Sequence, residues 1–265
     1  MKKVASFCFL SLMLSLGAYS TFAQDSAPRR LQAGMTGNFG INMVKPTDTY
    51  FNASPFNHDL SVGMIFNTSF SGSPNLGIST GFEFEFTKLN YEAADSVFYR
   101  YAGANILHQD EQGGTTYLLT NRQYSTVGIA VPLMMLFRMD PIGDWKIFAK
   151  FGVRNSFMVS QRINDRGFDV GADATGLTFT AKENANLKSF GDQFFYKGSV
   201  GFSAGAEWNF AGSTSLVPEF GFYYGLTPLH FRAIEDNYTF SDASGTYFYQ
   251  KARQNQLILK LSLLF

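Results

Sequence analysis

Leu76-Gly77-Ile78-Ser79-Thr80-Gly81-Phe82-Glu83-Phe84-Glu85-Phe86-Thr87 is the stretch on which the fold turns. Its even positions are Leu, Ile, Thr, Phe, Phe and Phe, and its odd positions are Gly, Ser, Gly, Glu, Glu and Thr. Successive strand side chains point to opposite faces, so this period of two predicts a ribbon with one apolar face and one face of small residues and carboxylates. A soluble sandwich would bury the apolar face in its core. A membrane barrel would turn it toward lipid, and the surrounding sequence favours the barrel.

The same alternation recurs upstream over residues 31–43 and 59–70. Downstream it recurs over 127–137, 145–157, 196–210, 216–226 and 256–265. That makes eight strands, an even number. The connections alternate in length: SGSPN (71–75), DPIGD (140–144) and AGST (211–214) are short, whereas 44–58, 88–123, 161–195 and 227–247 read as longer loops. Outer-membrane barrels keep short periplasmic turns and longer extracellular loops, so the expected fold is all-β, an eight-stranded antiparallel transmembrane β-barrel with both termini periplasmic. Pro132, inside the fourth strand, removes one ladder donor and favours an edge or a bulge there.

Residues 1–23 read as a secretory signal: Lys2 and Lys3 precede the apolar run 4–18, and Thr21-Phe22-Ala23 offers small residues for cleavage. The barrel domain is then 24–265, about 240 residues, an ordinary size for one all-β unit. Cys8, the one cysteine, lies inside that signal, so the mature chain carries no thiol for a disulfide, a thiolate metal site or a nucleophile. Downstream of the signal no apolar run reaches the roughly 18 residues a spanning helix requires, so any membrane span is built from strands. With 21 basic and 21 acidic residues the chain shows no basic patch for nucleic acid. The 29 phenylalanines and 13 tyrosines suit a lipid face with aromatic girdles, to which Trp145 and Trp208, beside short turns, are assigned.

TVGIAVPLMMLFRM (126–139), LVPEFGFYYGLT (216–227) and NQLILKLSLLF (255–265) resemble the PorT-type outer-membrane β-barrel family of bacteroidete-type bacteria. That family typically shows a strand with aliphatic-Pro-Leu-aliphatic, a later strand ending aromatic-x-Gly-Leu, and a terminal Phe. The resemblance spans the mature chain. It implies a Gram-negative outer-membrane location, cell-surface exposure and recognition of Phe265 by the barrel-assembly machinery.

Glu83 and Glu85 share the inner face at roughly 7 Å, a spacing an inverting glycosidase could use. An eight-stranded interior is filled by side chains, however, so these carboxylates are expected to neutralise Lys150 and Arg154 across the lumen. Glu219 with Lys260, and Glu207 with Lys146, complete the expected lumen charge network. His58, His108 and His230 fall at loop ends on the extracellular side. They invite a metal site or the base of a lipid-modifying acyl transferase or hydrolase, but no ligand spacing accompanies them and ordinary solvated loop histidines are the favoured reading. No catalytic, cofactor or metal residue is therefore assigned.

The expected function is a non-enzymatic membrane scaffold that displays extracellular loops for binding or assembly, in a role associated with secretion. Tyr91, Tyr99, Tyr101, Phe168, Phe179 and Phe190 are candidate anchors, with packing among the loops as the alternative. Expected partners are outer-membrane lipid and lipopolysaccharide, the assembly machinery, and a protein or polysaccharide at the loops. The competing class is the lipid-modifying enzyme, with His108 or His230 as base and a loop serine as nucleophile.

Overall fold

The computed structural model describes residues 31–188, 193–211, 214–230 and 239–265. The expected signal 1–23, residues 24–30 and Phe190 lie outside the described residues. The strands are β1 (Leu31–Pro46), β2 (Phe51–Ala53), β3 (Asn57–Phe70), β4 (Ser73–Ala102), β5 (Asn105–Leu107), β6 (Thr115–Arg138) and β7 (Trp145–Asp173). They continue with β8 (Gly176–Leu187), β9 (Tyr196–Ala211), β10 (Thr214–Gly225), β11 (Phe240–Ser241), β12 (Tyr247–Phe248) and β13 (Ala252–Leu264).

Eight of these close a ring in the order β1, β3, β4, β6, β7, β9, β10, β13, all antiparallel. β13 returns to β1 in continuous register from Gly34↔Leu264 to Pro46↔Ala252. The connections 71–75 and 140–144, the paired Ala211 and Thr214, Leu31 and Phe265 share one end of the barrel, where the Phe265 amide donates to the Ala33 carbonyl at 2.8 Å. Two short turns are tied together there by Asn75 Nδ2 donating to Asp140 Oδ1 at 2.9 Å. Pro132 lies within β6 with its side chain inward. The β4–β6 register passes from Thr80↔Leu133 to Glu83↔Ala130 around it, and Thr80 Oγ1 donates to the Pro132 carbonyl at 2.9 Å.

The outer face of this ring is apolar and exposed: Phe82, Phe84, Leu133, Phe151, Phe202, Phe220 and Leu259 all stand on it. From Leu76 to Phe86 the band rises about 33 Å along β4, or about 25 Å along the barrel axis at the usual tilt, the height of a hydrocarbon layer.

The expected long loops are a correction. Much of 88–123 and 161–195 is strand: β4 runs thirty residues, β7 twenty-nine and β6 twenty-four. The alternation of β4 does not stop at Thr87; its sign changes. Lys88, Asn90 and Glu92 keep the outward positions, and Leu89, Tyr91, Tyr99 and Tyr101 take buried inward ones. Above the lipid band the surroundings are water, so the burial that stabilises the strands must lie inside. The inward residues form one cluster, Phe51, Leu89, Tyr91, Val97, Tyr99, Tyr101, Ile106, Tyr117, Leu119, Tyr124, Ile163, Leu187, Leu229, Phe240 and Ala252, which caps the barrel.

β9 pairs with β7 only up to Phe157↔Tyr196, and above Ile163 its place on β7 is taken by β8. Among the described residues β8 pairs with no other strand, and although Lys188 just past its end exchanges backbone hydrogen bonds with Ala104 and Ile106 at 2.8 and 3.0 Å, its second edge from Gly176 to Leu187 is open.

Candidate functional site

The lumen holds three layers. Near the short turns Ile65, Leu136, Phe148, Val217 and Leu264 point inward and pack together. The alternation in β3, β6, β7, β10 and β13 carries one of these residues each, although the sequence reading expects small or charged residues on that inner face.

The middle layer is ionic. Arg154 on β7 donates to Glu83 at 2.6 Å and to Glu85 at 2.9 Å on β4, and Lys260 on β13 reaches Glu83 at 2.7 Å. Lys150 pairs with Glu219 at 2.6 Å, and Ser203 Oγ donates to the other oxygen of that carboxylate, also at 2.6 Å. Ser156 donates to Glu85, and Lys197 lies 3.7 Å from it.

Three expected pairings are corrected, the first being Lys150, which meets Glu219 in place of Glu83 or Glu85. Glu219 and Lys260 are register partners on β10 and β13, but each finds its contact farther around the lumen, because long side chains inside so narrow a barrel span non-adjacent strands. Glu207 pairs with Arg138 at 2.9 Å, and its register partner Lys146 is exposed at the mouth, outside the network. The Arg138 fork also donates to Ser69 Oγ at 3.0 Å and to Gln32 Oε1, three contacts at once that one ammonium would not hold in that plane.

Asp59, buried with its carboxylate over Gly40, joins Glu83, Glu85, Glu207 and Glu219 as the fifth acid. Arg138, Lys150, Arg154, Lys197 and Lys260 balance them, so the described lumen is neutral. Spaces of about 30, 10 and 10 Å³ remain between these side chains, each the size of one or two waters. Among the described residues, these spaces beside Glu83 and Glu85 are too small for a sugar. At the short-turn end the lumen opens into a mouth of about 550 Å³, with Arg138, Lys146 and Glu207 in its wall. Reconstituted in a planar bilayer, the barrel is expected to show no stable open channel; a steady, ion-selective conductance would contradict this packing.

The third layer is the cap. At its centre the Arg122 guanidinium grips Asp165 at 2.8 and 2.6 Å, both side chains fully buried. The Tyr99 and Phe240 rings lie 5.1 and 4.8 Å from the guanidinium carbon. Burial beside Asp165 and Asp169 raises the Tyr117 hydroxyl above the ordinary tyrosine range, so it stays a donor, to the Lys182 carbonyl.

The three histidines do not meet. His58 stands on the outer face of β3, His108 follows β5, and His230 is buried in the cap with Nε2 2.9 Å from the Tyr91 hydroxyl. Among the described residues no three His, Cys, Asp or Glu side chains gather as metal ligands.

Of the candidate anchors, Tyr91, Tyr99 and Tyr101 are cap core, and Phe168 is half-buried on the outer face of β7. Phe179 is 52% exposed on β8, with Leu177 at 69% two positions earlier. Leu177 escapes a reading that takes 161–195 as loop; continued alternation through 163–187 is the signal that finds it. The two tryptophans stack at 5.6 Å and 11° on the outer face near the short turns.

Residues 22–230 match the family described as outer membrane protein beta-barrel domain. No curated protein matches the chain. Among solved structures, Ail, the attachment invasion locus protein of Yersinia pestis, is similar at 8% identity and a TM-score of 0.36, covering 89% of this chain and 100% of that one. A major outer membrane protein from Thermus thermophilus is similar at 15% identity and a TM-score of 0.34, over 88% and 98%. Neisserial surface protein A is similar at 8% identity and a TM-score of 0.29, over 88% and 96%.

Proposed function

The chain belongs to the outer membrane protein beta-barrel domain family and resides in the outer membrane, and from that premise we propose that it is a non-enzymatic scaffold that presents its extracellular cap to a partner protein. The observation that carries this reading is the β7–β8 hairpin. It stands on the rigid cap, its β8 edge is open among the described residues, and Leu177 and Phe179 are exposed on its outer face beside Val170 and Phe168. An open edge offers main-chain donors and acceptors to an extended segment, and neighbouring apolar side chains supply the selectivity of such pairing. Lys88, Asn90, Glu92 and Arg166 lie between this patch and the lipid band on the same outward face, so a protein fits it better than acyl chains do.

Within this reading the chain is a PorT-type barrel in a role associated with secretion, a finer assignment that rests on the motifs at 126–139, 216–227 and 255–265. The test is to join Gly167 to Lys182 by a short turn and crosslink intact cells. The trimmed protein should remain a folded, heat-modifiable barrel and lose its crosslinked neighbours; unchanged neighbours would refute the proposal. Alanine at His58, His108 and His230 should leave lipid A and phospholipid profiles unchanged, and an altered profile would favour the enzyme class instead.

Recognition by the assembly machinery is assigned to Phe265. Its amide closes the last rung of β13 on Ala33. Phe265→Asp is therefore expected to lower the assembled fraction in cells several-fold while refolding in detergent changes little. Equal assembly in cells would remove the assignment.

A further inference from the structure

The outward cations at the rim of the lipid band form two close groups. Lys45 on β1 is the register partner of Arg253 on β13. Lys88 on β4 is the partner of Ser125 on β6, which is in turn the partner of Arg162 on β7. All four cations are exposed. None takes part in an ion pair or side-chain hydrogen bond among the described residues. Asp48, three residues from Lys45, has both oxygens occupied by the backbone amides of Tyr50, Phe51 and Lys251. Like charges set opposite each other on paired strands destabilise the pair, so Lys45 facing Arg253 is a local cost that no acidic side chain among the described residues offsets.

Position identifies what offsets it. Met43 and Phe86 are the exposed apolar residues directly beneath Lys45 and Lys88 on the same face, at 40% and 50% exposure. Each group of cations therefore stands where acyl chains end and headgroups begin. The opposite rim differs. The described cations there, Arg138 and Lys146, line the mouth, and the outer face closes with Trp145, Trp208 and Phe210. Outward positive charge is thus confined to the extracellular leaflet among the described residues.

We propose that Lys45 with Arg253, and Lys88 with Arg162, are two sites for the phosphate groups of an outer-leaflet lipid whose acyl chains lie on the apolar band below. The Ser125 hydroxyl, between Lys88 and Arg162, adds a donor to the second site. A free anion would use the cations and leave the adjoining apolar surface without purpose, so the lipid is the occupant. The inference rests on the barrel spanning the outer membrane and is independent of the protein partner assigned to the hairpin.

The experiment uses the folded full chain in detergent, with heat-modifiability as the folding control and native mass spectrometry counting bound lipid. The probes are bisphosphorylated lipid A, its fully dephosphorylated form and inorganic phosphate. The wild type is expected to bind the bisphosphorylated form in clear preference to the dephosphorylated one. K45Q/R253Q and K88Q/R162Q should each weaken their own site about thirty-fold, from about fivefold per interfacial cation. Equal binding of the dephosphorylated lipid, unchanged binding by both double variants, or displacement of lipid by equimolar inorganic phosphate would each overturn the proposal. Should a variant fail to fold, the wild-type preference between the two lipids decides alone. No protein partner is present in this assay, so its failure leaves the hairpin proposal standing, and loss of crosslinks on hairpin trimming leaves this one untouched.

Discussion

Arg154→Ala is expected to lower the unfolding free energy of the barrel by about 3 kcal/mol, because removing one member of a buried ionic cluster strands its partners away from water. Arg154 is the bridge between Glu83 and Glu85, each only 1% exposed. After the substitution Glu83 retains Lys260 at 2.7 Å, but Glu85 keeps only Lys197 at 3.7 Å and the Ser156 hydroxyl. The described lumen, neutral before, then carries one uncompensated negative charge. Urea unfolding of the protein in lipid vesicles reads the loss directly. Arg154→Met combined with Glu85→Gln should recover most of it, since removing both members leaves no orphaned charge. A lone Arg154→Ala variant as stable as the wild type would mean that the cluster contributes nothing to the barrel.

The second large effect belongs to the cap. Asp165→Ala leaves Arg122 buried without its carboxylate, and a loss of about 3–5 kcal/mol is expected, confined to the cap. Hydrogen exchange should rise at Leu89, Tyr91, Tyr99, Tyr117 and Leu119, which share the cap cluster. It should stay unchanged at amides of the lipid band such as Phe82 and Leu133. The reason for this confinement is that the cap has its own apolar core, separated from the short-turn end by the ionic layer, so it can open locally. Uniform loss of protection through both storeys, or no loss at all, would show that cap and barrel are not separable.

The lower storey is readable because one periodicity fixes everything in it. On β4 the even positions meet lipid and the odd ones the lumen, so spacing alone places Phe82, Phe84 and Phe86, and Glu83 and Glu85, correctly. The cap escapes for a physical reason. Lys88 to Glu92 keep the same alternation, but the outside changes from lipid to water, so apolar and polar residues exchange faces. A search for apolar even positions records that exchange as the end of a strand. The membership of the lumen network is largely legible from inward position, and so is the pairing of the β4 carboxylates with Arg154. The remaining contacts depend on stagger and on side-chain reach around the lumen, which spacing along one strand does not contain. Lys150 therefore meets Glu219, and Arg138 rather than Lys146 meets Glu207. Rim cations such as Lys45 and Arg253 draw no attention in the sequence because their adjacency appears only when the first and last strands close the ring.

The exchange of faces between Phe86 and Lys88 is the claim on which the lipid band, the cap and the rim all depend. Spin labels placed singly at Phe82, Phe84, Phe86, Lys88, Asn90 and Glu92, with Glu83 and Tyr91 as inward controls, measure it in bilayers through their collision rates with oxygen and with a water-soluble nickel chelate. Labels at 82, 84 and 86 are expected to meet oxygen and exclude nickel, those at 88, 90 and 92 to meet nickel, and the inward controls to be shielded from both. Nickel access at 84, or oxygen-rich, nickel-free surroundings continuing through 92, would contradict the structure described.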